Sequence, residues 1–149
     1  MNRLLIKTVL ILAAIAPFTA PAQELPSCVE TAAVEFGLPV KVFKSLVLVT
    51  QKDQDQQQAP HFGAMSMHEK AIAVAAKGIH STADSIKTDA CESYRASAWW
   101  LAVQADANNE ADIWEAVNRY FNGPTPRPDS IATDSLITDR VKMVYEQID

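Results

Sequence analysis

The stretch CVETAAVEFGLPVKVFKSLVLVTQ, Cys28 to Gln51, decides how this chain folds. Val29, Ala32, Ala33 and Phe36 recur at helical spacing and predict a first helix over about Cys28–Phe36. Gly37 ends it, because glycine accepts the left-handed backbone of a helix stop. Leu38-Pro39 makes a corner, and a proline near the first turn of the next helix forfeits no hydrogen bond there. A second helix is predicted over about Val40–Thr50, with Phe43, Leu46 and Val47 on its buried side and Thr50 one turn further along that side. Two short helices meeting at a sharp corner belong to a compact helical domain.

Upstream of this stretch the composition changes. Arg3 and Lys7 give a positive start, an apolar run Thr8–Phe18 follows, and Ala20-Pro21-Ala22 supplies the small residues read by a signal peptidase. The apolar run is about 11 residues, too short to span a hydrocarbon core of about 30 Å as a helix. Residues 1–22 are therefore expected to be a signal peptide, with retention as an anchor as the alternative, and residues 23–149 a single exported domain in the periplasm or beyond. Removal of Arg3 and Lys7 leaves eleven bases against eighteen acids, a net charge of −7. An acidic chain without a basic cluster is a poor partner for nucleic acid. Cys28 and Cys91 are its two cysteines, and an isolated pair in an oxidising compartment is expected to be bridged. Such a bridge closes a loop worth about 4 kcal/mol in the chain-entropy model. His61, His68 and His80 are scattered and form no metal-ligand pattern, and no cofactor motif is present.

Downstream, Gln51–Pro60 (QKDQDQQQAP) is polar, rich in glutamine and without hydrophobic period, which predicts an exposed loop. Glu69–Lys77 is alanine-rich and helix-favouring, with Gly78 as its stop. His80–Asp89 reads as a connector whose Asp89 caps the next helix. That helix, about Ala90–Ala105, carries Cys91, Tyr94, Ala98, Trp99, Leu101 and Ala102 and is expected at the centre of the core, where the small Ala96-Ser97-Ala98 lets a neighbour approach closely. A fifth helix is predicted over Glu110 to about Phe121, with Ile113, Trp114, Val117 and Tyr120 or Phe121 inward. Asn122-Gly123-Pro124 breaks it. Ser130 can cap a last helix to about Gln147, whose apolar face holds Leu136, Ile137, Val141, Val144, Tyr145 and Ile148. No segment reads as a strand. The expected fold is all-α: five to six short helices stapled by one disulfide.

The order of these features resembles the lysozyme-like lytic transglycosylases, in particular the small single-domain type that accompanies conjugation and secretion machines. Cysteine, helix, Phe36-Gly37-Leu38-Pro39 corner and second helix are similar to that family's opening block. Gly63-Ala64-Met65-Ser66-Met67 is similar to its Gly-Leu-Met-Gln-Ile segment, with Ser66 where glutamine is usual. Asp89-Ala90-Cys91, Ala96-Ser97-Ala98-Trp99 and Trp114-Glu115-Ala116-Val117 with Tyr120 match its later blocks, in order and over nearly the whole domain. The resemblance implies a lysozyme-like bundle, a glycan groove around Thr50, Gln51, Met65, Ser66 and Tyr120, and peptidoglycan or the proteins of an envelope machine as partners.

It departs from the family in the chemistry. Counting through the corner puts Thr50 at the family's catalytic glutamate and Gln51 at its following serine. The family's reaction needs one carboxylic acid that protonates the glycosidic oxygen and then takes the proton of the muramyl 6-hydroxyl as the 1,6-anhydro ring closes. Neither threonine nor glutamine can do this, and loss of general acid–base help lowers the rate by about 10²–10⁴-fold. Asp53 and Asp55 are the nearest substitutes, but a loop aspartate in water has too low a pKa to serve as an acid at neutral pH. Glu69 reads as a surface helix residue. The first expectation is thus a protein that has lost peptidoglycan cleavage and binds glycan or acts as an adaptor. The alternatives are an active enzyme with Asp53 or Asp55 as a relocated acid, and a secreted inhibitor, immunity or interaction protein reusing the fold, since fold does not fix function.

Overall fold

The computed structural model describes residues 24–52, 60–106, 112–122 and 131–148. The expected signal peptide, the aspartates of the polar loop and the Ser130 cap lie outside these residues. The described chain is mostly helical. Its elements are α1 (Ser27–Glu35), α2 (Val40–Lys52), β1 (His61–Phe62), β2 (Met67–His68), α3 (Glu69–Gly78), α4 (Ala83–Thr88), α5 (Ala90–Asp106), α6 (Ile113–Asn122) and α7 (Ile131–Gln147).

The corner forms as its residues dictate. Val29, Ala32 and Ala33 are buried on one face of α1. Gly37 takes φ +67°, the Gly37 N–H donates to Val34 O and the Leu38 N–H to Ala33 O. These two bonds satisfy carbonyls that the helix end would otherwise leave open. Phe43, Leu46 and Val47 of α2 are fully buried and Thr50 is 4% exposed, so the predicted inward face is the observed one. Burying Phe43 or Leu46 contributes about 1.5–3 kcal/mol each. The helix runs on through Gln51 and Lys52, two residues into what the sequence presents as a loop.

α5 is the central element. It packs against α1, α3, α4 and α6, while α7 closes the far side against α2 and α6. Ala96, Ser97 and Ala98 are fully buried, and their small side chains permit this crowding. Asp89 Oδ1 accepts from the Glu92 N–H at 2.9 Å, the expected cap of α5. The Cys28–Cys91 bond is formed and fastens the start of α1 to the start of α5. Beside it, Arg95 on α5 makes a forked contact with Glu35 at the end of α1 and also donates to Ile79 O beyond α3. The guanidinium holds the Glu35 carboxyl below its ordinary pKa.

Several expectations are corrected. A small antiparallel hairpin is present where no strand was predicted, pairing His61 with His68 and Phe62 with Met67. Two-residue strands are too short to show alternation. Within the predicted connector lies α4, capped by Thr82 Oγ1 accepting from the Ser85 N–H at 3.1 Å. Gly78 is the last residue of α3 rather than the stop beyond it, and the left-handed residue after the helix is His80, φ +54°. Leu136 is 62% exposed on α7, while Val141 of the expected apolar face is buried, together with Thr138. Trp99 is half-buried and packs against the core, and Cys91 is exposed apart from its bond. Among the described residues no helix is long and apolar enough to cross a membrane.

Candidate functional site

Three separate elements deliver polar groups onto one face of α5. From the last turn of α2, Gln51 Nε2 donates to the Tyr94 hydroxyl at 2.9 Å. From the hairpin turn, the Met65 N–H donates to Ser93 Oγ at 3.2 Å. From α6, the Tyr120 hydroxyl donates to Ser97 Oγ at 3.1 Å and lies 3.5 Å from Met65 O, the outer limit of a hydrogen bond. Ser93 and Ser97 are one helical turn apart, so their hydroxyls share a face. Both are fully buried, as is Met65 at 1% exposure.

The hairpin turn is fixed by backbone rather than side chains. Gly63 adopts φ +76° and Ser66 φ +50°, and the Ser66 N–H donates to Gly63 O at 3.0 Å. A Cβ on Gly63 would stand 2.7 Å from Ile86 O and 2.8 Å from Ser93 Oγ. Only glycine allows the turn to sit this close to α4 and α5. Ser66 holds a left-handed conformation that side-chain-bearing residues rarely adopt, a strain of about 1–2 kcal/mol.

Of the site residues expected from sequence, Gln51, Met65 and Tyr120 are brought together on α5, with Ser66 beside Met65 in the same turn. Thr50 stands apart chemically. It is buried, and its hydroxyl donates to Leu46 O of its own helix at 2.8 Å. Asp53 and Asp55 lie outside the described residues. Sequence reasoning missed Ser93 and Tyr94 as polar partners and treated Ser97 only as a small packing residue. The serine spacing of one turn on α5, with Tyr94 beside it, was the available signal.

Hydroxyl, amide and carbonyl groups make up this set, and none of the described members is a carboxylate. Burial pushes the Tyr120 phenol above its ordinary value, partly offset by its bond to Ser97, so it stays protonated across the neutral range. The arrangement can exchange hydrogen bonds with a neutral polar ligand. Its described members include no group of the strength a glycosidic leaving oxygen requires. Among the described residues no three His, Cys, Asp or Glu side chains gather as a metal site. No family model, curated protein or solved structure matches the chain.

Proposed function

We propose that this chain is a periplasmic, lytic-transglycosylase-like domain of lysozyme-like fold that binds peptidoglycan glycan strands without cleaving them, as a binding or adaptor component of an envelope-spanning machine. Thr50 carries the reading. It occupies the end of the helix that follows the Gly-Leu-Pro corner, where the resemblance calls for the acid, and its hydroxyl is spent on the Leu46 carbonyl. The Cys28–Cys91 bridge, the corner and the turn at Met65 against Tyr120 support the fold assignment.

The test uses isolated peptidoglycan sacculi. Residues 23–149 are expected to co-sediment with sacculi and to release no soluble muropeptides. Release of 1,6-anhydro products that disappears in Asp53→Asn or Asp55→Asn would establish the active enzyme with a relocated acid.

A second reading, an interaction protein that reuses the fold, draws on the exposed surface. Leu136 and Met143 are 62% and 56% exposed, two turns apart on α7, and the exported chain is acidic, which gives no attraction to anionic peptidoglycan. Failure to sediment with sacculi favours this reading over glycan binding.

A further inference from the structure

We propose that α3 and α5 together present a docking face for an acidic amphipathic segment of a protein partner, built from the apolar stripe Val74, Trp99 and Val103 and the lysines Lys70 and Lys77. Val74 and Gly78 are one turn apart on α3, and Trp99 and Val103 are one turn apart on α5. The Trp99 ring lies against Gly78, where an added Cβ would run into it, so the two pairs join into one surface across the packed helices. Val74 is 49% and Val103 36% exposed, and Trp99 is only half-buried. Exposed valines scattered singly carry no message, but a continuous apolar stripe around a partly open tryptophan has the make-up of a protein contact. It lies on a different face of α5 from the Ser93 and Ser97 hydroxyls.

The charges define the partner. Lys70 and Lys77 stand one turn to either side of Val74, both exposed, and their ammonium groups make no ion pair or ring contact among the described residues. The other lysines whose side chains are described all have one: Lys44 with Glu30, Lys87 with Glu69, Lys41 over the Tyr145 ring and Lys142 over the Trp114 ring. Lys77 suits the last turn of α3, but Lys70 sits in the first turn, where a cation opposes the helix dipole, so helix stability does not account for it. In a chain that is acidic as a whole, two unpaired cations two turns apart, about 10 Å along α3, make a local site for two carboxylates. The Arg95–Glu35 ion pair bounds the stripe one turn before Trp99, and the exposed Asp106 bounds it beyond Val103. A partner helix with apolar residues on one face and carboxylates two turns apart matches this pattern. Two lysines are too few to hold the domain on an anionic membrane, which takes a polybasic cluster. A second copy carries the same net negative charge, which opposes its approach.

Fluorescence anisotropy of two labelled synthetic helical peptides, titrated with the full-length protein, tests this. One peptide carries leucines along one face and two glutamates two turns apart, and the other has lysines in place of the glutamates. The glutamate peptide is expected to bind more tightly than the lysine peptide. The paired reversal Lys70→Glu with Lys77→Glu should weaken the glutamate peptide by about tenfold, the order of two surface charge contacts, and should strengthen the lysine peptide. Val74→Ser with Val103→Ser, at exposed positions, should weaken both peptides while circular dichroism stays unchanged. Equal binding of the two peptides, or glutamate-peptide binding that the lysine reversal leaves unchanged, overturns the proposal. Binding to phosphatidylglycerol vesicles, or self-association in analytical ultracentrifugation, that the reversal abolishes would assign the face to lipid or to a second copy and likewise overturn it. Co-sedimentation with sacculi is expected to survive the reversal, so a failure of glycan binding and a failure of this docking face are read separately. Loss of sacculus binding in the reversed protein would assign the face to peptidoglycan and overturn a protein partner.

Discussion

The amide of Gln51 and the hydroxyl of Tyr94 stand 2.9 Å apart, joining the last turn of α2 to α5 across 43 positions of sequence. Gln51 thus acts as a structural tie between the two helices. Tyr94→Phe is expected to destabilise the fold by about 1 kcal/mol, and Gln51→Ala by a similar amount. Urea unfolding of both and of the double variant should show that the combined loss is smaller than the sum, because one bond is removed twice. Full additivity would mean that the bond is not formed in solution.

Gly37 and Gly63, both left-handed, should respond differently to alanine. Nothing lies within 4 Å of a Cβ built on Gly37, whereas one on Gly63 meets the Ile86 carbonyl at 2.7 Å. Gly37→Ala should cost only the backbone strain, about 1–2 kcal/mol. Gly63→Ala should cost that and a further 1–3 kcal/mol or so of overpacking, and should displace the Met65 turn. Thermal unfolding gives the order, with Gly63→Ala melting well below Gly37→Ala.

Thiol titration of the unfolded, unreduced protein should find no free thiol, because Cys28 and Cys91 are bonded. Reduction, or replacement of both by serine, should lower stability by about 4 kcal/mol for a loop of this length.

Tyr120 should make the fold sensitive to alkali. Its phenol is held protonated by burial in the folded state, while in the unfolded chain it ionises near the ordinary phenol pKa of about 10. A group whose folded pKa is raised contributes stability below the unfolded value and loses it as pH rises beyond. The melting temperature should therefore fall more steeply above pH 10 in the wild-type protein than in Tyr120→Phe. At neutral pH that variant should be weaker by about 1 kcal/mol through loss of the bond to Ser97.

The sequence exposed those parts of the fold whose signals are local and repeated. The α1–α2 corner is legible because Gly37-Leu38-Pro39 constrains three consecutive backbones, and Phe43, Leu46 and Val47 mark a full helical stripe. The α5 cap at Asp89 is legible for the same local reason. The hairpin was hidden because two paired residues carry no period, and α4 because six residues hold too little apolar pattern beyond the Thr82 cap. Leu136 was placed inward by spacing alone and is exposed, whereas Val141 of the same expected face is buried, together with Thr138. The polar cluster on α5 was the hardest part to see. Ser93, Tyr94 and Ser97 acquire their roles only from Gln51, Met65 and Tyr120, which lie 23 to 43 positions away along the chain.

The central claim is that a glycan groove persists here with its acid replaced. Digestion of isolated sacculi by the wild-type protein and by Thr50→Glu, run side by side with folding checked by circular dichroism, tests it most directly. The wild-type protein should bind and release nothing, and Thr50→Glu should release 1,6-anhydro muropeptides. Release of those products by the wild-type protein, or neither binding nor release by either folded protein, would contradict the account.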